Sequence, residues 1–93
     1  MNFPDELQIR IPRPLAQKDI RAAVGIGLFK IAIGRDPGDI PEGEKVNQRI
    51  KLCSKGKKYL KECLKHCDNQ QEAIINALTW VYHQPDHVRN SEI

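Results

Sequence analysis

The sequence predicts a small, mainly α-helical domain with one or two short strands, on three observations. Residues 57–66 and 70–83 carry consecutive helical periodicities separated by a tight turn at Asp68 and Asn69. Residues 7–11 and 49–53 alternate apolar and polar side chains with a period of two, as half-buried strands do. The third observation keeps an all-α helical bundle open as the alternative: Val46, Ile50 and Cys53 also fit i, i+4 and i+7, so a helix over 44–53 competes with the second strand. At 93 residues the chain has room for one domain overall. Within it, residues 1–43 read as an N-terminal arm and residues 44–93 as a basic strand and helix-turn-helix unit with a frayed tail.

Along the chain, residues 1–6 form a lead-in. Leu7, Ile9 and Ile11 alternate with Gln8 and Arg10, and Pro12 and Pro14 end that strand. Residues 15–33 follow as an apolar helix. Leu15, Ile20, Val24, Leu28 and Ile31 fit one face, Ala22, Ile26, Phe29 and Ile33 fill much of the other, and only Lys30 is charged after Arg21. A helix apolar nearly all round is a buried one. Gly25 and Gly27 oppose it by about 1 kcal/mol each, and a strand over the same residues requires a phase slip near Leu28. Ala23 and Gly27, one turn apart, allow another helix to approach closely. Residues 34–43 hold three glycines and two prolines and read as a loop, the hinge between arm and C-terminal unit.

Residues 44–48 add a helical turn before the strand at 49–53, where Arg49, Lys51 and Cys53 face one way and Ile50 and Leu52 the other. The next helix carries Tyr59, Leu60, Cys63, Leu64 and Cys67 on its apolar side, with Lys57, Lys58, Lys61 and Lys65 opposite. The last helix opens on a capping box formed by Asn69 and Glu72 and ends before Pro85. Glu72, Asn76, Thr79 and His83 make its polar stripe, with Ile74, Ile75, Leu78 and Val81 on the apolar arc. A chain this short buries a modest core. Pairing of the apolar helix and strand between two copies, through Val24, Leu28, Ile31, Ile50 and Leu52, would enlarge it.

Charge is uneven. The net charge is +3, yet residues 49–66 carry seven Lys or Arg against Glu62 alone, residues 1–48 balance to zero, and residues 67–93 sum to −3. A basic middle points to an anionic partner. No basic segment followed by an apolar run opens the sequence, and no run reaches the roughly 18 apolar residues of a membrane span. Three cysteines cannot all pair within one chain, so reduced thiols and a cytoplasmic setting are expected.

Catalytic patterns are missing. The glycines at 25 and 27 are not followed by Lys and Ser or Thr, so no phosphate loop is present. His66 leaves the polar side of its helix, away from Cys67. Cys63, Cys67, His83 and His87 have the spacing of a zinc site, but two helices would put Cys67 and His83 about 20 Å apart at about 1.5 Å per residue. The expectation is a non-enzymatic protein without metal or cofactor, with Cys63 and Cys67 as small apolar residues.

The order strand, basic helix, turn, capped helix over residues 48–83 resembles the ribbon-helix-helix family of DNA-binding proteins, by pattern more than by any motif string. The resemblance implies a homodimer in which each protomer gives one strand to an antiparallel ribbon, with two helices per subunit interlocked as the core. It implies that Arg49 and Lys51 face the major groove, with Gln48 or Cys53 at the ends and Ile50 and Leu52 inward. Lys55, Lys57 and Lys58 would contact phosphates. Asn69, Gln70 and Gln71, at a helix start whose free N–H groups favour anions, would hold another. The turn lacks the family's usual Gly, and the strand stands unusually far along the chain. Residues 7–11, with Gln8 and Arg10 outward, make a rival ribbon. The functional expectation is a small homodimeric transcriptional regulator of repressor or antitoxin type that binds double-stranded DNA. The alternative is a helical protein-interaction module or inhibitor whose lysine face meets an acidic partner protein. A strand at 48–53 favours the first and a helix the second.

Overall fold

The computed structural model describes residues 6–16 and 20–84, so residues 1–5 of the expected lead-in, most of the expected tail and His87 lie outside the described residues, while Glu6, also expected in the lead-in, already belongs to the first strand. Strand β1 (Glu6–Pro12) leads through a 3-10 turn (Arg13–Leu15) to helix α1 (Ile20–Ala32), then to strand β2 (Lys45–Lys51), helix α2 (Ser54–Cys63) and helix α3 (Gln70–Tyr82). The two strands form one antiparallel sheet. The small domain of helices with two short strands is as expected; with the strands paired in a sheet the architecture is mixed α/β rather than mainly α, and it is not the all-α bundle of the alternative.

Strand pairing explains the correction. β1 and β2 match residue for residue, from Glu6 opposite Lys51 to Pro12 opposite Lys45, and this long-range pairing decides a stretch whose local pattern is ambiguous. Val46 and Ile50 are four apart, a spacing that suits a helix turn and, being even, one face of a strand as well. Cys53 breaks the strand pattern because the strand has already ended. Its Sγ accepts a hydrogen bond from the Gly56 N–H at 3.3 Å as the N-cap of α2. The strand thus starts four residues earlier than the alternation suggests, in place of the helical turn expected at 44–48, and stops two residues sooner.

α1 is helical, as its apolar pattern implies, but it spans Ile20–Ala32 rather than 15–33: Leu15, expected on its face, lies in the 3-10 turn, with Ala16 extended after it. It packs chiefly on α3 and α2. Gly27 makes the closest approach possible: a Cβ there would collide with the backbone carbonyl of Ala77, and Ala23 one turn earlier is fully buried. The helix ends in a Schellman motif. Gly34 takes φ +92°, its N–H donates to the Ile31 carbonyl, and the Arg35 N–H donates to the Lys30 carbonyl, satisfying carbonyls that the helix end would leave unpaired.

The basic helix is shorter than its apolar period suggests. Lys65 and His66 donate backwards to Glu62 and Cys63, an i to i+3 pattern that tightens the last turn, and residues 64–69 become the connection. α3 starts where its cap signal lies. The Asn69 side chain accepts from the Glu72 N–H at 2.8 Å, and the Glu72 carboxylate accepts from the Asp68 N–H at 2.9 Å, one residue outside the usual capping-box position. Thr79 leaves the polar stripe: it is fully buried, with its hydroxyl donating to the Ile75 carbonyl at 2.7 Å.

The glycine- and proline-rich loop is joined to the rest of the chain near both ends. Arg13 N–H donates to the Glu44 carbonyl and the two side chains form an ion pair, each contact 2.8 Å. At the other end, His83 Nε2 lies 2.8 Å from the Asp39 carbonyl oxygen. Residues 1–43 do not stand apart as an arm, since β1 pairs with β2 and α1 packs on α3. One core results, joining the inward strand residues Leu7, Ile9, Ile11 and Ile50 to all three helices. Val24, Leu28, Ile31, Ile50 and Leu52, expected at a dimer interface, are between 0% and 7% exposed within the single chain. The apolar surface that argued for a second copy is covered by α2, α3 and the sheet of the same copy.

Candidate nucleic-acid interface

The β1–β2 ribbon has an inner face that closes the core and an outer face open to water. Strand alternation sends Leu7, Ile9 and Ile11 inward, leaving Glu6, Gln8 and Arg10 exposed. On β2, Ile50 is buried and Val46 and Gln48 are half-buried, while Lys45, Asn47, Arg49 and Lys51 are exposed. The register sets Gln8 opposite Arg49, Arg10 opposite Asn47, and Glu6 opposite Lys51. The outer face therefore carries four cations and one carboxylate, interleaved with carboxamides. The two sequence candidates for a ribbon, 7–11 and 49–53, turn out to be partners in one ribbon built by one chain.

Arg49 Nε lies 3.3 Å from Glu6 Oε1, with the Arg49 side chain largely in water and that of Glu6 more than half covered. These two residues and Gln8 line a hollow of about 310 Å3. A larger groove of about 480 Å3 runs between β1 and the start of α3, lined by Leu7, Gln8, Ile9, Asn69, Gln70 and Gln71. The N-terminal end of α3 thus adjoins β1 at Leu7, Gln8 and Ile9. Asn69 has its carbonyl oxygen committed to the cap, so its amide nitrogen and the neighbouring glutamines are what it can offer a ligand. Lys55 and Lys58 are exposed on α2 and Lys57 is half-buried. Lys65 is engaged by Glu62 at 2.9 Å, and that contact holds the Glu62 carboxyl below its ordinary range.

Asn47 and Lys45 are absent from the site as read from the sequence. Their alternation with Val46 and Gln48 extends the strand upstream, but with only one apolar residue in four it has no clear period of its own. Gln8 and Arg10 are legible as a ribbon face, yet local sequence cannot show which strand they pair with.

The remaining reactive groups are dispersed. Cys63 donates its thiol hydrogen to the Leu28 carbonyl at 3.2 Å. Burial, followed by the nearby Cys67 and Glu62, pushes that thiol up to about 11. Cys67 accepts from the Asn76 amide at 3.6 Å and is also raised, chiefly by burial. Among the described residues, no three His, Cys, Asp or Glu side chains are grouped to hold a metal ion, and no helix is long and apolar enough to cross a membrane. No family model, curated protein or solved structure matches the chain.

Proposed function

We propose that this protein is a small, non-enzymatic DNA-binding regulator that meets duplex DNA with the outer face of its β1–β2 ribbon. The observation that carries the reading is the exposed row Lys45, Asn47, Arg49 and Lys51 on β2 beside Gln8 and Arg10 on β1. A two-stranded ribbon, with strands about 4.8 Å apart, suits a major groove about 12 Å wide. Arg, Asn and Gln are the side chains that pair in bidentate fashion with purine edges there. Lys55 and Lys58 on α2 supply phosphate contacts, as does the start of α3, where unpaired N–H groups favour an anion. Because one chain provides both strands, binding does not require a second copy to complete the ribbon, a departure from the ribbon-helix-helix arrangement.

A gel shift of random-sequence duplex DNA at two salt concentrations tests this. A shifted complex that weakens steeply with salt, as phosphate neutralisation requires, supports it. Absence of any complex at low salt removes it.

A second reading has its own observation. Phe29, Ile33 and Tyr82 are between 37% and 53% exposed at the C-terminal ends of α1 and α3, about 18 Å along α3 from Gln70 at about 1.5 Å per residue. Lys30 lies over the Phe29 and Trp80 rings at 5.5 and 5.4 Å. That aromatic and apolar end would serve a protein-interaction module.

A further inference from the structure

We infer that one chain reads an asymmetric, guanine-bearing duplex element through two adjacent cross-strand pairs, Gln8 with Arg49 and Arg10 with Asn47, and that Glu6 positions Arg49 for this contact. The inference rests on the DNA-binding reading above and goes beyond it by naming the sequence class and the symmetry of the target.

Each pair combines one guanidinium with one carboxamide on the exposed face of the ribbon. A guanidinium matches guanine O6 and N7, and a carboxamide matches adenine N6 and N7. All four side chains are therefore purine readers. The arginine sits on β2 in the first pair and on β1 in the second, so the two are diagonal neighbours, about 7–8 Å apart. That diagonal corresponds to roughly two base-pair steps of about 3.4 Å. Two guanine contacts about two steps apart, flanked by adenine contacts, follow from the register.

A ribbon made of the same strand from two chains carries a two-fold axis, and its target mirrors that axis as a palindrome. Here β1 reads Glu6, Gln8, Arg10 outward and β2 reads Lys45, Asn47, Arg49, Lys51. The strands are different and belong to one chain, so the ribbon has no two-fold axis and its target need not be palindromic.

Glu6 fits a positioning role. Its carboxylate lies against Arg49 Nε, which leaves both terminal nitrogens of the guanidinium available as a fork. A carboxylate on this face also repels phosphate, and that makes its two effects separable. If Glu6 acts only by charge, Glu6→Gln strengthens binding to every duplex alike. If it positions Arg49, Glu6→Gln strengthens binding to bulk DNA while lowering the preference for the guanine that Arg49 reads.

The test is selection of full-length protein against a random duplex pool, followed by fluorescence anisotropy on the enriched duplex at fixed salt. The expected product is a non-palindromic element with two guanines, bound by one chain per duplex. Replacing either guanine by 7-deazaguanine, which lacks the N7 acceptor, lowers affinity about fivefold or more. Arg49→Ala abolishes the sensitivity at one guanine and Arg10→Ala at the other, with circular dichroism showing each variant folded. Glu6→Gln gives the split effect described above. A palindromic product, two chains per duplex, or equal sensitivity of both arginine variants at both guanines overturns the inference. Tight binding with no enriched element also overturns it while leaving general DNA binding in place, and no binding to any duplex removes both.

Discussion

Arg49 and Lys58 are both exposed cations, yet the two positions are expected to respond differently. If Arg49 reads a base as proposed, Arg49→Ala should cost about 1–3 kcal/mol on a preferred duplex and much less on others. Lys58→Ala should weaken binding about equally on all duplexes and reduce the slope of affinity against salt by about one. Titrations of each variant on two unrelated duplexes separate these outcomes, and equal losses everywhere would leave only non-specific attraction. The thiols offer a residue-scale test that needs no ligand. Cys53 is exposed, whereas Cys63 is buried and protonated up to about pH 11. Brief alkylation of native protein should label Cys53 first and spare Cys63 until denaturant is added, as mass spectrometry would show. The raised value also sets a pH dependence. The folded state holds a proton on Cys63 that an unfolded thiol loses near about pH 8.5. This contribution to stability is complete below that pH and declines as pH rises toward 11. Denaturation midpoints across that window should fall less steeply for Cys63→Ala than for the native chain.

Among the elements, α1 gives the sharpest contrast. A Cβ added at Gly25 would have nothing within 4 Å, whereas one added at Gly27 would meet the Ala77 backbone. Gly25→Ala should be neutral or stabilise the helix by up to about 1 kcal/mol, while Gly27→Ala forces α1 and α3 apart and should cost about 1–3 kcal/mol. Denaturant melts of both variants decide, and a harmless Gly27→Ala would contradict the close helix approach. The same elements show what the sequence makes legible. β1 is readable because Leu7, Ile9 and Ile11 alternate cleanly between prolines and polar residues. α3 is readable because Asn69 and Glu72 mark its start and its apolar arc is long. The end of α2 is not, since Leu64 and Cys67 keep a helical spacing through a turn that only backbone hydrogen bonds reveal. The upstream half of β2 is hidden because Lys45, Asn47 and Gln48 carry little apolar signal, and its partner strand is distant in sequence. The ribbon face is accordingly visible in halves, as Arg49 and Lys51 on one strand and Gln8 and Arg10 on the other, but its assembly depends on that distant pairing.

At the scale of the whole molecule, the apolar helix is enclosed by its own chain rather than by a second copy. Leu28 is fully buried, and burying an unpaired charge costs more than a domain's surplus stability of about 5–15 kcal/mol readily absorbs. Leu28→Glu should therefore unfold the protein, with loss of helical circular dichroism, instead of yielding a folded monomer. Light scattering of the native chain at micromolar concentration should report a monomer; a stable dimer would have to use a surface other than Val24, Leu28 and Ile31. The exposed face of the ribbon and the C-terminal ends of α1 and α3 at Ile33 and Tyr82 are different surfaces, while Phe29 stacks on Tyr59 of α2 at 5.2 Å, beside Lys58. Nuclear magnetic resonance of the isotope-labelled chain, titrated with a short duplex, locates the contact directly. The DNA-binding account requires shifts at Gln8, Arg10, Asn47 and Arg49 and at the starts of α2 and α3, with Ile33 and Tyr82 unmoved. Shifts confined to those two residues, or no shifts at any duplex concentration, would contradict it.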